Sequence, residues 1–460
     1  MPASADFLPA QRMAATGIGF AGIDGAWWRP ALAPFPLPAA ASRRLAEYAR
    51  ALLALSDVAG ALYDTAEGRA AGLDALLTYK VPAALARLVS AGPLLSLRPD
   101  FQLVPQPAAE AAYDFAATEL EVCPSAHGFA HALQVGYGLA PDLAPAFARL
   151  LAGRPLVIVG TQHWSEFLIE QLAFCRALAE CGACGRVWYD RPLAALAAEF
   201  RAGQRWQPPM FGVRHKPPGW NDDLLGRLRA HDLLRFAAAD EPVVGPDTVL
   251  FRFGYCECFA PDWLARFQAW EARGAVWLNP PTFYLDSKAL LAAAGLPAVR
   301  ARLAALDAGL VSALDRCLPE TRLLQLGDEA QLLDEQADWV LKFAGFDSGQ
   351  QAWGGRSLQI GAALSRAEWA AAVRNYQALP WPVVAQRHTP TARVSIAYQA
   401  APGQPATLDE GYTRLRIFCL RGQAGAPVHG AGAHLTVSGG TAQVSEATDA
   451  VQAPVTFGEP

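Results

Sequence analysis

The sequence predicts a mixed α/β and α+β protein: an N-terminal helical region, a parallel α/β layer in mid-chain, and C-terminal strands flanked by helices. Three observations carry this. Residues 1–96 show Ala/Leu/Arg periodicity at helical spacing. Strand, helix and strand alternate over Pro155–Pro192, and the plan repeats over Val249–Leu278. From Pro281 onward, strand-like runs crowd together with only a few helices between them.

In chain order, Ala40–Val58 and Pro82–Leu88 carry the helical spacing, with a Pro-rich lead-in at Pro30–Pro38 packed by Trp27, Trp28 and Phe35. Leu97 to about Val122 reads as antiparallel strands, and helices follow through Leu151. The apolar run Leu156–Val159 and the segment Arg186–Tyr189 read as strands on either side of a helix at Glu166–Cys181. Gly160-Thr161-Gln162-His163 lies where such a strand meets its helix, a usual ligand position, but no Gly-x-Gly-x-x-Gly accompanies it. Gln204–Asn221 is rich in Pro, Gly and Trp and reads as a long loop. Later helices are expected at Ser287–Leu303 and Ala367–Gln377. Strands are expected at Trp339–Lys342, Pro382–Gln386, Ala392–Tyr398 and Thr413–Leu420, and a hairpin at Leu435–Val444 turns at Ser438-Gly439-Gly440-Thr441. The units are 1–96, 97–150, 151–280 and 281–460.

Two clusters point to chemistry. Trp339-Val340-Leu341-Lys342 is a strand opening into a loop with Gly345, Gly349, Gly354 and Gly355, followed by Arg356 and Ser357. Glycines let backbone N–H groups turn toward an anion, and Lys342 and Arg356 add positive charge, which suits nucleotide phosphates. A surface hairpin with a solvated lysine is the competing reading. Upstream, Arg98 and Asp100 share one strand face, and Glu119, Glu121 and Cys123 share another. Paired, the two strands gather carboxylates fit for Mg²⁺ and an arginine fit for phosphate; ordinary cross-strand charge pairs are the alternative.

Together and in this order, the motifs resemble the circularly permuted ATP-grasp proteins, including glutathionylspermidine synthetase-like ligases. Arg98-x-Asp100 and Glu121-x-Cys123 match that family's metal strands. Leu278–Ala293, with its Asn-Pro and Ser-Lys, matches the segment leading to the first nucleotide lysine. Val383–Gln386 matches the adenine-lining strand, and the C-terminal GGTAQVSEATDAVQAPV matches the closing hairpin. The resemblance implies an ATP-grasp fold in circularly permuted order and an ATP-dependent ligase that joins a carboxylate to an amine or peptide through an acyl phosphate. ATP and Mg²⁺ are its implied cofactors. Lys288 and Lys342 would hold the phosphates under a loop from Gly345 to Gly355 that includes Gly349 and Gly354. Asp100 and Glu121 would hold Mg²⁺, Arg98 would neutralise the transferred phosphoryl group, and Gln386 would contact adenine. Arg414 and Arg416 share a strand face that reaches phosphate or a substrate carboxylate, or else lies on the surface. Cys123 stands where the family has asparagine; a thiol is a poor Mg²⁺ ligand, so another oxygen substitutes or one metal site is weakened. That departure sustains a rival reading, a non-catalytic nucleotide-binding or scaffold protein that kept the fold. A Rossmann oxidoreductase lacks its glycine fingerprint.

Composition agrees. Hydrophobic residues make up 52% and charged residues 18% of 460, a globular balance long enough for more than one core. A net charge of −5 argues against a nucleic-acid partner. Phe147–Gly160 is interrupted by Arg149 and Arg154, short of the ~20 apolar residues that a membrane span needs. The N-terminus lacks a signal-peptide pattern, so a cytoplasmic location is expected. The eight cysteines, including Cys181/Cys184 and Cys256/Cys258, read as small buried thiols rather than zinc or redox sites. His127 and His131 are spaced to share a helix face, either lining the site or, as the preferred reading, on the helix surface.

Overall fold

The computed structural model describes residues 8–18, 29–106, 113–161, 167–201, 226, 228, 231–236, 242–326, 329–347, 352, 357–401, 404–422, 428–439, 444 and 450–458. Their strands form three sheets. Numbered along the chain, the strands are β1 (Arg29–Pro30), β2 (Phe35–Pro38), β3 (Ser96–Pro105), β4 (Tyr113–Glu121), β5 (Leu156–Gly160) and β6 (Gly185–Tyr189). Next come β7 (Leu234–Phe236), β8 (Val249–Phe253), β9 (Val276–Trp277), β10 (Thr321–Leu323), β11 (Trp339–Phe343) and β12 (Gln359–Ile360). The last are β13 (Val383–Arg387), β14 (Arg393–Ala401), β15 (Gln404–Leu420), β16 (His429–Ser438) and β17 (Val451–Gly458).

The mid-chain layer is the expected parallel sheet, in the order β7-β6-β5-β8-β9. β5 and β8 are buried along their whole length, which their near-continuous apolar runs permit. Arg252 of β8 is the exception, wholly buried and held by both carboxylate oxygens of Asp286 at 2.8 and 2.9 Å. At the carboxyl ends of β5 and β8 an open sheet would offer a ligand crevice. There the Thr161 hydroxyl donates to Asp190, and a Cβ on Gly254 (φ +148°) would lie 2.6 Å from the Thr161 methyl. Gln162, His163 and the expected loop at 204–221 lie outside the described residues.

The largest sheet runs β1-β17-β16-β15-β3-β4, with β14 on β15 and β2 on β17. The long helix Ala39–Leu62 buries Leu45, Tyr48, Leu52 and Leu55 in the core shared with Phe101, Leu415 and Leu435. A separate aromatic cluster of Trp263, Phe267, Trp270 and Trp277 packs beside the parallel sheet. The third sheet, β10-β13-β11-β12, is antiparallel throughout.

Three expectations need correction. Part of the N-terminal region is strand: β1 and β2 pair in parallel with β17. Pro82–Leu88 forms turns, not a helix: the Leu85 N–H bonds back to the Pro82 carbonyl and the Leu88 N–H to the Leu85 carbonyl, three residues away in each case. The helix expected over Ser287–Leu303 is two, Ala289–Ala293 and Pro297–Leu306; Gly295 follows the first and Pro297 opens the second. Among the described residues, no helix is long and apolar enough to cross a membrane.

Candidate nucleotide and metal site

The site begins with strand register. In the β3–β4 hairpin Arg98 lies opposite Glu121 and Asp100 opposite Glu119, while on the other edge of β3 Asp100 lies opposite Arg416 of β15. Period-2 geometry puts Arg414 on the same face as Arg416. Asp100 is thereby ringed by cations: Arg98 and Arg414 at 3.3 Å, and Arg416 at 3.3 Å. Arg414 also reaches Glu119 at 3.7 Å, and Lys288 lies 3.8 Å from Glu119. Lys288, Lys342 and Arg414 together hold the Glu119 carboxyl below its usual range against the opposing effect of burial.

Register also shifts once. Phe101 pairs with Ala117 although Asp100 pairs with Glu119, so Thr118 is an extra residue in β4. Lys342 Nζ, from the antiparallel sheet, donates to the Thr118 carbonyl at 3.3 Å. It also donates to the Gln386 amide oxygen at 3.0 Å, and Gln386 in turn donates to Thr321 at 3.0 Å. Gln386 sits diagonally from Lys342 on neighbouring strands, where long side chains on one face meet. Lys342 is 8% exposed, and burial pulls its pKa down to about 8, with Glu119 pulling the other way. The two lysines are tied together: Lys288 N–H donates to the Ala344 carbonyl at 2.8 Å, and Lys288 Nζ donates to the Ala352 carbonyl. Gly345 (φ +141°) lets the chain turn there, because a Cβ would come within 3.1 Å of the Asp286 carbonyl. Gly349, Gly354, Gly355 and Arg356 lie outside the described residues.

Glu121 is half-buried, and desolvation raises its pKa; the Tyr255 hydroxyl donates to it at 2.7 Å. Cys123 lies beyond the end of β4 and faces a different set of partners. The Asn279 amide donates to its sulfur at 3.4 Å and to the backbone carbonyls of Val122 and Arg252 at 2.8 and 2.7 Å, while the thiol reaches the Gly254 carbonyl at 3.2 Å. Burial raises the thiol's pKa strongly. Among the described residues no three His, Cys, Asp or Glu side chains are arranged around one metal position. The donor chemistry nevertheless fits Mg²⁺, which takes one or two carboxylates and completes its shell with phosphate and water oxygens.

The structure thus brings Arg98, Asp100, Glu121, Lys288, Lys342 and Gln386 together, with Glu119, Arg414 and Arg416. Tyr255, Asn279 and the Arg252–Asp286 pair had no role in the sequence reading. The only local signal was the Asn-Pro and Asp-Ser-Lys segment that carries Asn279 and Asp286. The histidines correct the surface reading: His127 is 1% exposed among Phe147, Phe174, Phe251 and Phe418, and His131 is 7% exposed. Of the cysteines, all free, six are buried, but Cys181 and Cys184 are exposed because they flank the turn that follows helix Leu168–Glu180.

No family model and no curated protein matches the chain. Among solved structures it is similar to a glutathione synthetase like-effector from Globodera pallida in apoform, at 11% identity and a TM-score of 0.53, covering 98% of this chain and 95% of that one. It also matches a protein named as a gamma-glutamylcysteine synthetase from Methylobacillus flagellatus, at 13% identity and a TM-score of 0.38, covering 83% and 86%. The first likeness defines a glutathione synthetase-like fold over nearly the whole chain.

Proposed function

We propose that the protein is an ATP-dependent ligase that joins a carboxylate to an amine through an acyl phosphate. The observation that carries this is the meeting of Arg98, Arg414, Arg416, Lys288 and Lys342 with Asp100, Glu119 and Glu121 between the largest sheet and the small antiparallel sheet. Five cationic side chains against three carboxylates leave a formal surplus of two positive charges. Lys342 is buried beside neutral oxygens, an arrangement that an anionic ligand would compensate. The carboxylate-bearing hairpin β3–β4 precedes the lysine strand β11 in sequence, which supports a circularly permuted ATP-grasp order.

In this reading Lys288 and Lys342 hold the phosphates, and Gln386 keeps the Lys342 ammonium in place on the strand expected beside the adenine. Arg98, Arg414 and Arg416 neutralise charge as the substrate carboxylate oxygen attacks the γ-phosphorus and ADP leaves. The amine nitrogen then attacks the acyl carbon, phosphate departs and the amine loses a proton. Asp100 and Glu121 would hold Mg²⁺, which when bound screens the β and γ phosphates.

The test is ATP turnover with a panel of carboxylic acids and amines. ADP and phosphate are expected, with hydroxylamine trapping the activated acid as a hydroxamate. AMP and pyrophosphate would overturn the assignment, and ATP binding without any ADP across a broad panel would favour a non-catalytic nucleotide-binding protein.

A further inference from the structure

One residue outside the charged cluster touches it from another sheet. Tyr255 is 1% exposed on the loop that leaves β8, and its hydroxyl donates to Glu121 Oε2 at 2.7 Å. The loop is pinned on both sides of it. The Gly254 carbonyl accepts from the Arg252 guanidinium at 2.6 Å, and the Cys256 N–H donates to Asp286 Oδ2 at 2.7 Å. Arg252 and Asp286 are themselves joined through two bonds, and Asp286 lies two residues before Lys288. Gly254 holds a φ of +148°, and a Cβ there would strike the Thr161 methyl at 2.6 Å, so the approach to Tyr255 has little freedom. The far end of β4 is held as well, since Asn279 bonds the Val122 carbonyl at 2.8 Å.

We infer that Tyr255 is a positioning residue: it fixes the Glu121 carboxylate for a divalent cation by taking one of its oxygens from a rigid neighbouring loop. The inference rests on the proposed role of Glu121. A half-buried glutamate at a strand end has several rotamers open to it, and a fixed donor selects among them. Outer partners of ligating carboxylates commonly change metal affinity by about 10–100-fold when removed.

The experiment follows the thermal shift produced by a non-hydrolysable ATP analogue while Mg²⁺ is titrated, in the wild-type chain, Tyr255→Phe, Glu121→Gln and the double variant. Tyr255→Phe is expected to raise the half-saturating Mg²⁺ concentration about tenfold while leaving the Mg²⁺-free shift unchanged. In the Glu121→Gln background the same change should have no effect on the Mg²⁺ response. An equal loss of melting temperature with and without Mg²⁺, at unchanged half-saturation, would show a structural prop only and overturn the inference. So would an undiminished effect in the Glu121→Gln background. If the wild-type shift ignores Mg²⁺, the proposed function falls and takes the inference with it; if it depends on Mg²⁺ and on Glu121 but not on Tyr255, the inference alone falls. Should Tyr255→Phe not fold, Tyr255→Met removes the hydroxyl with a more adaptable side chain and is read in the same way.

Discussion

Lys342 holds its proton against its surroundings. Burial lowers its pKa to about 8, so the charged form is disfavoured by folding. Between pH 8 and the unfolded value near 10.5 the unfolded chain binds more protons, so stability rises with pH across that window. If Lys342 holds phosphate as proposed, nucleotide affinity should run the other way, because the neutral amine no longer attracts phosphate. Affinity for ATP should fall as pH climbs through 8 to 9, and Lys342→Arg should flatten that dependence, both measurable by calorimetry. Lys342→Ala should cost about 2 kcal/mol of binding at pH 7, the usual worth of a hydrogen bond to a charged group. His127 contributes with the same sign, but in acid. Burial within its aromatic cage and nearby Arg98 hold its pKa well below the ordinary 6.5, so the unfolded chain gains a proton that the folded chain refuses. Stability should therefore drop as pH falls below 6.5. His127→Phe, which keeps a ring in the cage, should show a smaller drop in melting temperature between pH 7.5 and 5.

At the scale of elements, helix His127–Gly136 owes its start to one carboxylate. Glu170, wholly buried, accepts N–H bonds from Ala126, Gly128 and Phe129. Gly128 permits the close crossing: a Cβ there would lie 2.1 Å from the Glu170 backbone carbonyl. Gly128→Ala should destabilise by about 3 kcal/mol, since neither backbone can move aside cheaply; denaturant unfolding would measure it. The same scale explains what could be read in advance. Arg98, Asp100, Glu119 and Glu121 were legible as facing residues because alternation along a strand is a local rule. The bulge at Thr118, which hands its carbonyl to Lys342, was not, because register belongs to the partner strand. Tyr255 and Asn279 come from a different sheet, with no spacing to announce them. His127 misled because its cage is assembled from four separate elements, and a histidine four residues from another looks like a helix surface.

The whole molecule is closed by its first and last described strands. β1 and β2 cover β17 in parallel, and the Ala31 N–H donates to the Gln452 carbonyl at 3.0 Å. Removing residues 1–38 would bare those backbone groups along β17, an edge that invites pairing with other chains. A lower melting temperature and concentration-dependent aggregation are expected, visible by light scattering, and an unchanged monomer would count against the role of these strands. The sheets differ in how much of the chain they need. The parallel layer closes within Leu156–Trp277 and the small antiparallel sheet within Thr321–Arg387, whereas the large sheet draws strands from Arg29 to Gly458. On a ribosome, the two compact sheets can therefore form while the growing chain is still tethered. The strands β1 and β2 must wait until β17 has emerged, and the cluster around Asp100, which needs Arg414 and Arg416, cannot be assembled before β15 is out.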